Sequence, residues 1–188
     1  MKKVLLILGG FVAIVGLVAV IGAVLPKEHT ATQAAQFKQA PPEIWNAITD
    51  FGAMAAWNSS FDEVKPLPDH NGNAAWSLIS DQGPMPLEVV EMDTNKKLVT
   101  RIIDEGMPFG GTWTYELAET EGGTLLTITE DGFVRNVIFR FMARFIFGYH
   151  STLERFLEDL GKKFDEKVAV VEQPDEVIAN SQRNFHGE

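Results

Sequence analysis

The chain has 188 residues, no cysteine, and 26 acidic against 16 basic residues, for a formal charge of −10. It therefore offers no thiolate nucleophile, sulfur metal site or disulfide framework, and its stability must come from a core. Every acidic residue lies beyond Lys27, so that part presents a negative field that repels nucleic acid and anionic lipid heads.

Residues Val4 to Leu25 form an uncharged, nearly continuous apolar run behind Lys2 and Lys3. About 20 such residues in a helix cross a ~30 Å hydrocarbon core. A signal peptide has a shorter apolar stretch, roughly 7 to 15 residues, ending in small residues. This run ends in Val24, Leu25 and Pro26, so an uncleaved anchor over residues 1–26 is expected, with cleavage near Val20 and Gly22 as the alternative. Lys2 and Lys3 would stay cytoplasmic, which sends the rest of the chain across the membrane, into the periplasm if the source is bacterial.

Beyond the anchor, residues 27–167 read as one domain of ordinary size. Thr30 to Phe37 is a first strand. Pro42 and Glu43 suit the first turn of a short helix reaching Asp50, and a looser turn follows through Met54 and Trp57. From Phe61 onward apolar and polar residues alternate in short runs: Phe61–Leu67, Ala74–Ser80, Leu87–Met92, Lys97–Ile103, Thr112–Leu117 and Thr124–Glu130. The connections are short enough only for antiparallel neighbours, and the first strand brings the sheet to seven. From Asn136 to Lys167 no proline intervenes, and Ile138, Met142, Phe145, Tyr149, Leu153, Phe156, Leu160 and Phe164 recur every three or four residues. That spacing predicts one long amphipathic helix, capped by Asn136 and over ~40 Å long, lying across the sheet. Residues 168–188, rich in Glu, Asp, Asn, Gln and Pro, read as a flexible acidic tail.

This order of elements, with the segments PPEIWNAITD (41–50), AAWNSSFDEV (55–64), GGTWTYEL (110–117), GTLLTITEDG (123–132) and RNVIFRFMARFIFGYHSTLERFLEDL (135–160), resembles the helix-grip fold of the START-like, or SRPBCC, superfamily. The polyketide cyclase/dehydrase-type branch is the part it is most similar to. The resemblance implies an α+β domain in which a seven-stranded antiparallel sheet wraps the C-terminal helix, with two short helices after the first strand. It also implies a cavity between sheet and helix for an apolar compound, while leaving the reaction open.

Alternation selects the inward set. Trp76, Leu78, Val89, Trp113, Tyr115 and Ile128 on strands, Met142, Phe145 and Tyr149 on the helix, and Trp57 and Phe61 near the mouth are the expected pocket residues. Four tryptophans suit a flat hydrophobic ligand as well as a filled core. His150 and Tyr115 are the candidate proton carriers. Asp69 and His70, followed by Asn71 and Gly72, read as a turn rather than metal ligands; no metal site and no cofactor is implied. Most of Asp81, Glu88, Glu91, Asp104 and Glu105 are expected to be solvated, and Arg101 to lie on the outer surface of its strand unless the register is shifted by one. Three functions remain open: a membrane-anchored extracytoplasmic binding or carrier module for a lipid-like or other small hydrophobic ligand; a cyclase, dehydratase or hydrolase acting in the same cavity; and an interaction protein with a filled core.

Overall fold

The computed structural model describes residues 2–103, 106–148 and 150–172. An N-terminal helix α1 (Lys2–Val24) leads into β1 (Glu28–Phe37), helix α2 (Pro41–Thr49) and a 3-10 turn (Phe51–Ala56). Six strands follow in a meander: β2 (Glu63–His70), β3 (Asn73–Ser80), β4 (Gly83–Asp93), β5 (Lys97–Ile102), β6 (Phe109–Thr120) and β7 (Gly123–Val134). The chain then forms α3 (Val137–Met142), a π-helical turn (Ala143–Phe147), α4 (Ser151–Lys163) and β8 (Val170–Glu172).

All strand pairs are antiparallel, in the order β2-β3-β4-β5-β6-β7-β1-β8. The sheet therefore has eight strands, not seven. The extra one falls in the segment expected to be a tail, where Val170 and Val171 extend the sheet by pairing with Ala35 and Ala34. Residues 173–188 of that expected tail lie outside the described residues. At the opposite edge, β2 carries Pro66 and Pro68.

The apolar run does form a helix, and its last turn is bound to the domain. Gly22 lies so close to α3 that a Cβ there would stand 1.9 Å from the carbonyl oxygen of Val137. The guanidinium of Arg140, 4% exposed, donates to the carbonyls of Gly22 and Leu25, both at 3.1 Å, and to that of Arg135 at 2.9 Å. It thereby satisfies orphan carbonyls at the negative end of α1. Among the described residues no helix is long and apolar enough to cross a membrane. The expected single-pass anchor, and the extracytoplasmic placement built on it, are corrected accordingly.

The long C-terminal helix is also corrected, because it is broken. Asn136 caps its start as expected, its side chain accepting from the amides of Ile138 and Phe139. One π turn later Gly148, at φ 73° and ψ 149°, takes a backbone conformation essentially confined to glycine. The extra residue of the π turn and the glycine kink rotate the apolar stripe out of phase. Leu153, Phe156, Leu157 and Leu160 of α4 are buried against the sheet, whereas Ile138, Phe139, Phe145 and Ile146 are exposed. The core lies between the sheet's concave face and α4, closed at one end by Ile44 and Ile48 of α2 and centred on Phe37, Leu98, Leu126 and Ile128.

Candidate functional site

Strand alternation aims Leu78 of β3, Leu87 of β4, Thr100 of β5, Trp113 and Tyr115 of β6 and Ile128 of β7 at α4. Thr152, Leu153 and Phe156 of α4 face them, with Phe51, Met54 and Phe61 at one side. Together they enclose a cavity of about 60 Å³, which Asn58, Ser60 and Met85 complete. Among the described residues no carboxylate, imidazole or cation lines it.

Aromatic contacts set its walls. Tyr115 lies against Phe156 with ring centroids 5.4 Å apart, and Trp57 meets the other side of Phe156 edge-on at 5.3 Å. Trp76 stacks on Phe51 at 5.4 Å. Burial raises the Tyr115 phenol well above its ordinary pKa; its hydrogen bond with Thr100 opposes this and the charge of Glu130 adds to it. The phenol stays protonated near neutral pH, so it can donate a hydrogen bond but cannot act as a phenolate base.

Asp159 fixes the mouth to α4. Its Oδ2 accepts from the Ser59 amide at 2.8 Å and the Ser59 hydroxyl at 2.5 Å, and its Oδ1 accepts from Lys162 Nζ at 2.7 Å. Burial alone would raise its carboxyl; the bonds from Lys162 and Ser59 prevail and hold it below the ordinary value.

Of the expected pocket residues, Phe61, Leu78, Trp113, Tyr115 and Ile128 line the cavity. Trp57, Trp76 and Val89 pack behind that lining as partly buried core neighbours. Met142 sits part-buried on α3, and Phe145, 60% exposed, pairs with Phe141 at 4.9 Å outside the cavity. Tyr149 lies outside the described residues. His150 pairs with Glu172 of β8 at 3.2 Å, away from the cavity lining. Phe51, Met54, Thr100 and Phe156 are lining residues that the sequence reading did not assign to the pocket. Phe156 was legible in the helical stripe, and Thr100 in the alternation of β5.

Glu88 is a second departure from expectation. It is 1% exposed rather than solvated, and its carboxylate gathers Asn73, His70 and Arg101 on the outer face of the sheet. Asp69 and His70 end β2, with the tight turn confined to Asn71 and Gly72. Among the described residues no group of three or more His, Asp or Glu side chains is placed to hold a metal ion.

An antiparallel sheet curved around a helix, with a small apolar cavity between them, defines the helix-grip class. The chain belongs to the polyketide cyclase / dehydrase and lipid transport family, whose model matches residues 28–165. No curated protein matches it. Among solved structures it is similar to a protein from Mesorhizobium loti, with 20% identity and a TM-score of 0.57 over 73% of this chain and 97% of that one. It is also similar to a START superfamily protein from Mycobacterium smegmatis, with 16% identity and a TM-score of 0.54 over 73% of this chain and 97% of that one. A third similar structure is the di-domain ARO/CYC StfQ from the steffimycin biosynthetic pathway, with 9% identity and a TM-score of 0.54 over 71% of this chain and 49% of that one. At these identities the structural likeness speaks for the fold alone.

Proposed function

We propose that the protein is a binding module that holds a small hydrophobic molecule between the sheet and α4. The observation that carries this reading is the lining itself: apolar and aromatic side chains, a few hydroxyls and one amide, and no group able to exchange a proton near neutral pH. Such a surface desolvates an apolar ligand, and the Tyr115 hydroxyl supplies one hydrogen-bond donor to orient it. The family's cyclases make turnover the competing chemistry. A phenol held protonated, with His150 turned toward Glu172, favours retention over reaction.

The cavity is about 60 Å³, whereas drug-sized ligands occupy roughly 300 Å³ or more. Entry therefore requires lining side chains such as Phe156 to move. The same volume supports a second reading, in which the domain is filled by its own side chains and acts through its surface.

Organic extraction of the purified full chain, followed by mass spectrometry, tests the first reading, with a tryptophan-fluorescence titration using 1-aminoanthracene as the apolar probe. A co-purifying apolar compound and saturable quenching are expected. No compound and no saturable quenching would establish the second reading instead.

A further inference from the structure

A larger hollow, of about 400 Å³, opens on the other face of the sheet. Leu87 lines the inner cavity, so its neighbours Pro86 and Glu88 point outward, as does Arg101, paired across from Glu88. The pairing of β2 with β3 shifts register between Leu67 and His70, beside the hollow that both residues line. Leu67, Pro68, Pro86, Ile103 and Met107 supply apolar walls, and His70 and Asp69 the polar ones.

The chemistry is set by Glu88. Its Oε1 accepts from Arg101 Nε at 3.0 Å and Nη2 at 2.6 Å, and its Oε2 from Asn73 Nδ2 at 2.8 Å. The remaining contact of Oε2 is with His70 Nδ1, at 3.2 Å. An ionised carboxylate only accepts, so the hydrogen between Glu88 and His70 resides on Nδ1, and in the neutral ring Nε2 then carries a lone pair. The carboxylate thereby fixes the tautomer of the neutral His70 ring. Among the described residues, the hydrogen-bonding contact at Nε2 is the Asn71 amide nitrogen, 3.4 Å away and 3.3 Å from Nδ1, on the exposed turn. A hydroxyl is a better-matched donor than an amide nitrogen straddling the ring edge.

We propose that this outer hollow is a second binding site, separate from the sheet–helix cavity, for a compact apolar molecule bearing one hydroxyl, which donates to His70 Nε2 while its body rests on Leu67, Pro86, Ile103 and Met107.

The test is an NMR titration of the isotope-labelled full chain with 4-ethylphenol, and with ethylbenzene as the isostere lacking the donor. Saturable shifts are expected at the His70 ring nitrogens and the amides of Leu67, Ile103 and Met107, with ethylbenzene about tenfold weaker, the factor one neutral hydrogen bond supplies. His70→Phe should abolish the preference for the phenol while leaving shifts at Tyr115 and Leu153 unchanged. Equal affinity for both probes, shifts confined to the inner cavity, or no saturable shift at millimolar probe would overturn the proposal. The two-probe comparison on the unsubstituted chain stands even if the variant fails to fold.

Discussion

Asp159 of α4 holds both the amide and the hydroxyl of Ser59, one hundred residues away in the chain, with a single carboxylate oxygen. That bond ties the helix on one side of the cavity to the turn that forms its mouth. Replacing Asp159 with Ala removes both bonds from Ser59 to a buried carboxylate and should destabilise the fold by about 2 kcal/mol, measured by urea denaturation. Removing Lys162, whose side chain is largely exposed, should change stability much less than removing Asp159.

The Glu88 cluster should shape the acid limb of stability. Burial acts to raise the Glu88 carboxyl, but the hydrogen bonds from Asn73, Arg101 and His70, with the charge of Arg101, lower it from 4.5 to about 2. Since the folded value lies below the unfolded one, the stabilisation is fully present above about pH 4.5 and is lost as pH falls through about 2. In Glu88→Gln this acid-dependent component should vanish from denaturation midpoints collected between those limits.

Truncating Phe156 to Ala removes the ring shared by Trp57 and Tyr115. A loss of roughly 3 to 5 kcal/mol is expected, with tighter uptake of 1-aminoanthracene into the enlarged cavity. Tyr115→Phe should cost about 1 kcal/mol, through the lost bond to Thr100, and should leave probe uptake intact.

Arg140→Met deprives the carbonyls at the end of α1 of their donors. Amide exchange in residues 19–25 should accelerate, and proteolysis near Lys27 should become faster, while the sheet's protection is unchanged.

Gly148→Ala introduces a Cβ where φ is 73° and ψ is 149°. The strain, on the order of 1 to 3 kcal/mol, should appear as local loosening of residues 143–153 in hydrogen exchange, since the neighbouring strands do not depend on this joint.

The strands were legible because period-two alternation survives any error at their ends. Trp113 and Tyr115 faced inward as their spacing required, and the cavity's β wall followed from it. The helical half was less so. Ile138, Met142 and Phe145 fit one continuous stripe with Leu153 and Phe156, and only Gly148 and the broader apolar spread of the first turns hinted that the phase changes there. The role of Glu88 was hidden for another reason: its partners lie on three different strands, and their convergence depends on a register that local pattern does not encode. His150, plausible as a proton carrier in an unbroken helix, meets β8 once the helix is kinked. The apolar N-terminal run showed its helix but not the domain contact at its end, because the partner, Arg140, lies more than a hundred residues downstream.

The two prolines of β2 have a consequence for how copies of this molecule meet. Neither Pro66 nor Pro68 has an amide hydrogen to offer, so at these positions of the border strand an approaching strand finds acceptors without donors. With Lys65 just ahead of them, growth of one sheet onto another is blocked at this margin, and crowded solutions of the folded domain should resist fibrillar association there.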